Sequence, residues 1–236
     1  MRRFLVAAAC LWIASCGSAP PGVTVSTAAS ADEAGLVDIA RLIPDAALDI
    51  RYATVHNFVG APVDGYEAPK CYLLEPVADA LARVERELRK ENLRLVMFDC
   101  YRPVRAVRHF VRWAEDLSDQ RTKPVHYPKI DKSSLLGVYI SRSSGHSRGA
   151  TIDLGLLRCD DEGQTCTPVD MGTPFDFFDE LAHTDSPDVS DEQRANRYRL
   201  RDAMRRERFE NYVEEWWHYT YRPEPSPTVA YDVPVR

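Results

Sequence analysis

The sequence lacks several features that would settle its class at once. No two of its six cysteines form a C-x-x-C pair, so a cysteine-built zinc site has no pair to start from. There is no excess of basic charge. Thirty Lys and Arg stand against 36 Asp and Glu, a formal net charge of -6 that offers nucleic acid no electrostatic footprint. No apolar run is long enough to cross a bilayer, and no internal repeat is visible. A helical H-E-x-x-H metal motif is also missing. What is present suits a folded chain: 44% hydrophobic residues in 236 allow one well-packed domain.

The N-terminus reads as an address. Arg2 and Arg3 precede an apolar stretch over 4–14, which ends in Ile13-Ala14-Ser15-Cys16. That pattern resembles a bacterial lipobox. Residues 1–15 are then a signal peptide, and Cys16 is the lipidated first residue of the mature chain. An ordinary signal peptide with an incidental Cys16 is the alternative. Either way the protein is expected to be exported to the periplasm or cell envelope, with a lipid anchor at Cys16 making the membrane a partner. Residues 16–34 are rich in Ser, Ala, Pro and Thr and read as a flexible tether, which leaves 35–236 as the folded domain. Four cysteines remain in that domain. In an oxidising compartment they suggest two disulfides. Cys159 and Cys166 bracket a polar turn and are expected to pair, which leaves Cys71 with Cys100 by elimination.

Periodicity predicts helices over 76–91, 104–117 and 190–208, the last capped by Ser190 or Asp191. Apolar runs predict strands over 93–99, 137–141, 151–157 and 212–221, with a short strand at 49–52 and a hairpin returning through 169–171. Strands and helices mix without strict alternation. The expected fold class is therefore α+β, a mostly antiparallel central sheet with helices packed on it.

Chemistry concentrates in two places. In Ser144-Gly145-His146-Ser147-Arg148-Gly149-Ala150-Thr151-Ile152-Asp153, an imidazole and a carboxylate flank a turn. Asp153 lies inside an apolar run, where an unpaired carboxylate costs several kcal/mol, roughly, unless a partner or a metal compensates. Downstream, Glu215-Trp216-Trp217-His218 offers a second carboxylate and a second imidazole. Two His and one carboxylate suit zinc with an open position, and Glu215 is then a spare base. On a regular strand, however, residues three apart face opposite ways, so Glu215 and His218 can share a metal only if the strand bulges or ends between them. Taken alone, this segment reads better as core, with His218 a satisfied core histidine. Arg102, after a buried strand and before Pro103, can point into a pocket or lie at a helix end on the surface. Asp176, between Phe175 and Phe177, can take a substrate ammonium or cap a turn.

These residues together resemble the VanX-type D-alanyl-D-alanine dipeptidases, zinc peptidases related to D-Ala-D-Ala carboxypeptidases and to the hedgehog signalling domain. The family pattern S-x-H-x-x-G-x-A-x-D is matched by Ser144, His146, Gly149 and Asp153, and its E-x-x-H by Glu215 and His218. Ile50-Arg51-Tyr52, Tyr101-Arg102-Pro103, Phe175-Asp176-Phe177 and Tyr231-Asp232-Val233-Pro234 extend the likeness over nearly the whole folded part. The resemblance implies a hedgehog/DD-peptidase-like fold and one zinc ion on His146, Asp153 and His218. It implies Glu215 as general base, Arg102 as the oxyanion-stabilising cation, Ser144 at the substrate carboxylate, and Tyr52 and Asp176 at its amino end. The implied substrate is D-Ala-D-Ala. Thr151 departs from the pattern, standing where the family has Ala; its added hydroxyl and methyl could narrow the pocket, and zinc binding is expected to survive because no ligand is changed.

Export shifts the expected role. Destroying D-Ala-D-Ala before wall assembly is work for the cytoplasm, whereas an exported enzyme fits turnover or scavenging of wall dipeptide. An exported zinc D,D-carboxypeptidase that trims muropeptides, and a zinc-containing wall-binding lipoprotein without catalysis, are the alternatives. A pocket closed at its amino side by Tyr52 and Asp176 separates the first from a dipeptidase.

Overall fold

In the computed structural model, which describes residues 22–163 and 165–236, the chain opens with three short strands: β1 (Thr24–Val25), β2 (Leu36–Asp38) and β3 (Ala47–Leu48). After β4 (Tyr72–Leu74) come α1 (Glu75–Arg89), β5 (Leu93–Asp99), α2 (Val104–Glu115) and the single turn α3 (Lys123–His126). The second half holds β6 (Thr151–Cys159), β7 (Cys166–Pro168), α4 (Asp191–Arg206), β8 (Phe209–Asn211), β9 (His218–Tyr221) and β10 (Val229–Ala230).

The main sheet runs β3-β5-β6-β9-β8, with β7 added to β6. Every pair in it is antiparallel except β3 with β5. That exception makes the sheet mixed rather than purely antiparallel, and a separate two-stranded sheet, β1–β10, is parallel as well. A parallel neighbour needs a long crossover, and β4 and α1 supply it between β3 and β5.

The helices form where the apolar spacing places them. Val77, Ala80, Leu81, Val84 and Leu88 of α1 are buried, with Pro76 in its first turn, where a missing N–H costs nothing. Glu85 lies on the same buried face and is not an error of pattern. It accepts from the Leu95 amide at 2.7 Å and pairs with Arg89 and Arg94. Helix α4 starts at a capping box, the Ser190 hydroxyl bonding the Gln193 amide and the Gln193 side chain returning to the Ser190 amide.

Four expected elements differ. Residues 49–52 form no strand; Arg51–Ala53 is a 3-10 turn that sends the Tyr52 ring into the core. Residues 137–141 form a turn, with no strand among the described residues paired to them; the Gly137 amide bonds the Ile140 carbonyl. The hairpin off β6 closes through 166–168 instead of 169–171. The stretch over 212–221 is interrupted: β8 ends at Asn211 and β9 begins only at His218. The expected tether over 16–34 is also built into the fold from residue 24 on, since β1 pairs with β10 and Ala34 is buried. The expected signal peptide, Cys10 and Cys16 lie outside the described residues.

Both expected cystine bridges are formed, Cys71 with Cys100 and Cys159 with Cys166. The second ties β6 to β7 at directly opposed positions.

Candidate metal centre and active site

Sheet register builds half of the site. Asp99 of β5 stands opposite Asp153 of β6, and Asp153 stands opposite His218 of β9. Three polar side chains thus form one row across three strands, at the spacing of directly opposed residues. His146 reaches the same place from the 3-10 turn Gly145–Arg148 just before β6. Ser144 caps that turn by accepting from the His146 amide, and Gly149 ends it at φ 71°, in the left-handed region. A Cβ on Gly149 would also lie 2.8 Å from Leu36 Cδ2, so glycine is required there twice over.

The break between β8 and β9 solves the spacing problem of Glu215 and His218. Glu215 lies in the turn before β9, and its carboxylate comes back to within 3.4 Å of His218 Nδ1. The strict alternation of a strand never applies to this pair, because the strand starts at His218.

Three donor atoms form a nearly equilateral triangle. His146 Nε2 is 3.3 Å from Asp153 Oδ1, His218 Nδ1 is 3.0 Å from the same oxygen, and the two nitrogens are 3.3 Å apart. A tetrahedral zinc with bonds of about 2.0–2.1 Å places its ligand atoms about 3.3–3.4 Å apart, so the residues fit such an ion. The ring of His146 is oriented for it: Nδ1–H donates to the Cys100 carbonyl at 2.7 Å, which leaves the Nε2 lone pair for a metal. Asp153 Oδ1 is buried and aligned with no hydrogen-bond donor among the described residues, an orphaned acceptor that a cation would satisfy. Burial alone would raise the Asp153 pKa, but the two imidazoles outweigh it and hold the carboxyl low. Conversely, burial disfavours a charged His218 and the facing Asp153 outweighs that, so the metal-free imidazole is pushed up.

Glu215 keeps 20% of its side-chain surface open to the pocket, yet the surrounding protein desolvates it and pushes its pKa up to about 7. Asp153 nearby adds to the rise, and His218 and Arg102 oppose it. A carboxylate poised there is suited to exchange protons at neutral pH.

Arg102 is fixed on three sides. Its Nε and one terminal nitrogen bond Asp99 Oδ2 at 2.9 and 2.8 Å, and its guanidinium carbon lies 5.2 and 4.9 Å from the ring centres of Tyr52 and Phe110. The same terminal nitrogen is 3.6 Å from Asp153 Oδ2. Asp176 is 5% exposed, at φ 57°, and the Tyr52 hydroxyl reaches both of its oxygens at 3.0 and 3.1 Å. Burial, and then the Asp153 charge, push its carboxyl well above the ordinary carboxylate range.

Tyr52, Arg102, Ser144, His146, Asp153, Asp176, Glu215 and His218 all line one cavity of about 260 Å³. Phe58 and Phe110 close it behind Tyr52, and Tyr139 and Tyr212 line it further out. Thr151 is not part of that wall. Its hydroxyl pairs with Thr220 Oγ1 at 3.0 Å and sits under Gly145, so it does not narrow the pocket.

Two contributors escaped the sequence reading. Asp99 is fully buried, binds Arg102, and accepts from the Tyr66 hydroxyl and the Cys100 amide. It ends the apolar run of β5, the same signal that singled out Asp153, and could have been found in that way. The Cys100 carbonyl is a backbone group and leaves no trace in side-chain identity.

Similarity to known proteins agrees with this geometry. The family described as D-ala-D-ala dipeptidase matches residues 32–236. A D-alanyl-D-alanine dipeptidase of Enterococcus faecium is 38% identical over 205 residues, 86% of this chain and all of that protein. One of Streptomyces coelicolor is 40% identical over 79% of this chain and 91% of its own length. One of Escherichia coli is 30% identical over 80% of this chain and 85% of its own. With its ligand triangle, its flanking acid and a match that spans nearly the whole folded part, the chain belongs to the D-Ala-D-Ala dipeptidase family of peptidases.

Proposed function

We propose that this protein hydrolyses the free dipeptide D-alanyl-D-alanine to two D-alanines, with one zinc ion on His146, Asp153 and His218, in a hedgehog/DD-peptidase-type fold. The observation that carries the reading is the donor triangle with Glu215 on one side and Arg102 on the other. Zinc bound there would supply a Lewis acid for the scissile carbonyl and bring the pKa of water to about 7.

The protein's own groups do the rest. Glu215 takes the proton of the attacking water and returns it to the leaving amine, which its raised pKa favours. Arg102, held by Asp99 and two rings, presents a fixed positive charge where negative charge develops on the carbonyl oxygen. The Ser144 hydroxyl, on the pocket wall at the start of the turn that carries His146, bonds the substrate carboxylate in this reading. Asp176 and Tyr52 receive the ammonium at the closed end. Burial favours the neutral acid in an empty pocket, and a substrate ammonium restores its charge with a charge-assisted hydrogen bond.

The closed end favours a dipeptidase over a carboxypeptidase. An acyl group on the amine removes the charge that Asp176 needs and adds bulk against Tyr52, Phe58 and Phe110. The leader-like residues 1–16 and two cystines in the folded part support an exported, lipid-anchored enzyme that turns over wall-derived dipeptide. Purified zinc-loaded protein, given D-Ala-D-Ala and N-acetyl-D-Ala-D-Ala, should release D-alanine from the free dipeptide with much the higher kcat/KM. Equal efficiency on the two would sink the dipeptidase reading.

A further inference from the structure

The two cystines stand in unlike places. Cys159–Cys166 lies at the far end of β6 from Asp153, where the paired residues 157–159 and 166–168 do not line the pocket. Cys71–Cys100 is buried to 0% and 1% exposure directly behind the metal centre. Cys100 is the residue whose carbonyl holds His146 Nδ1–H at 2.7 Å, and so sets which ring nitrogen faces the metal.

The backbone around this bond is stitched to the same centre. The Arg102 amide donates to the His146 carbonyl at 3.3 Å, and the Tyr101 amide to the Tyr72 carbonyl at 2.9 Å. At the other end of β4, the Leu74 amide donates to the Gly149 carbonyl at 2.9 Å, where the His146 turn ends. Strand β4 therefore backs both the carbonyl that orients His146 and the turn that carries it. The strand itself is short, three residues paired to the equally short β2. Beside it, the Ile39 amide donates to the Cys71 carbonyl at 2.9 Å. The disulfide is its covalent link to residue 100.

We propose that the Cys71–Cys100 disulfide is a positioning element of the metal centre: it locks the Cys100 carbonyl against His146 and so sets zinc affinity, not only global stability. The centre is then completed only in a compartment oxidising enough for the bond to form. The inference rests on the zinc reading above and adds to it a dependence that no ligand side chain carries.

The test compares the wild type with Cys71→Ala/Cys100→Ala and Cys159→Ala/Cys166→Ala, measuring both thermal unfolding and zinc dissociation constant by chelator competition. Both variants should melt lower. Only the first should bind zinc more weakly, on the order of tenfold or more, the size usual for losing a group that orients a ligand. Zinc affinities that match across all three proteins, or that fall alike in both variants, overturn the inference while leaving the function intact. Cys71→Val/Cys100→Ala keeps more of the packing volume and guards against a collapse of the fold. If neither version folds, the bond serves the whole scaffold and the inference is overturned as well. A wild type that binds no zinc removes this inference and the functional reading together.

Discussion

At the scale of single residues, the site is a set of charges whose pKa values are driven apart. Glu215 is raised to about 7 while Asp153, one strand away, is held low, so one carboxylate is left to exchange protons and the other to bind metal. Glu215→Gln should retain zinc and lose kcat by roughly a hundred-fold to ten-thousand-fold, because an amide cannot accept the proton. Zinc content by metal analysis beside turnover of D-Ala-D-Ala checks it; near-normal turnover would rule out Glu215 as the base. Asp176 carries a different consequence. Its folded pKa lies above the unfolded value of about 3.9, so the folded state holds a proton that the unfolded chain has released. The contribution of Asp176 to the stability of the metal-free protein therefore falls as pH rises from about 4 through that raised value. Asp176→Asn does not titrate. Urea denaturation should find it more stable than the wild type at pH 8, with the difference shrinking toward pH 4, while kcat/KM on the free dipeptide drops roughly a hundred-fold. A variant less stable than the wild type at pH 8 would contradict the assignment.

At the scale of elements, α4 acts as the bracket for the loop that carries Asp176. Arg197 is fully buried and meets no carboxylate in its hydrogen bonds; it donates to the carbonyls of Met171, Leu181 and His183 at 2.7, 3.0 and 2.6 Å. Those three carbonyls flank residues 172–180, with Phe175 and Phe178 packed in the core between them. Asn196 and Gln193 of the same helix hold Asp170 at the loop's entrance. Arg197→Met would take this donor from all three carbonyls, of which, among the described residues, only that of His183 keeps another, the Ser186 amide, and should cost about 1–3 kcal/mol of stability. It should lower kcat/KM for D-Ala-D-Ala by loosening Asp176 and leave zinc affinity unchanged, since the metal side chains come from β6, β9 and the His146 turn. Chelator competition and urea denaturation on one preparation separate the two effects; a loss of zinc affinity equal to the loss of activity would show that the helix supports the metal instead.

At the scale of the whole molecule, the domain reaches back further than its composition suggests. The Ser/Ala-rich segment pairs through Thr24–Val25 with Val229–Ala230, so the N-terminal stretch and the C-terminal tail close on each other. That tail is anchored in turn: the Tyr231 amide bonds the Ser147 carbonyl, and Arg148 of the metal turn pairs with the buried Glu224. Any lipid tether is therefore no longer than the residues before Thr24. If Cys16 carries the lipid, as proposed, replacing it with Ser should move the protein from the membrane to the soluble fraction on cell fractionation, since the acyl chains would then be its anchor. A wild type already soluble in the periplasm would remove the anchor from the proposal.

Much of this protein could be read before its coordinates. Apolar spacing marked α1, α2 and α4 within one or two residues, and the local cap signal narrowed the start of α4 to Ser190 or Asp191, of which Ser190 is the cap. The disulfide across the β6–β7 hairpin was legible for the same reason, since seven residues with a polar turn leave little choice of partner. The ligand types were legible as well, because a carboxylate in an apolar run demands a partner wherever the run ends up. Periodicity reports only which way a side chain faces within its own element. It is silent on where a strand begins, and the start of β9 at His218 is what turns Glu215 toward the metal. It is silent on register, and the row Asp99–Asp153–His218 exists only because three strands far apart in sequence align at those positions. Residue identity determined the chemistry available to this chain. Tertiary structure alone decided that a backbone carbonyl orients His146, that Asp99 grips Arg102, and that Thr151 stands outside the pocket, because each of these follows from distances between segments that no local pattern encodes.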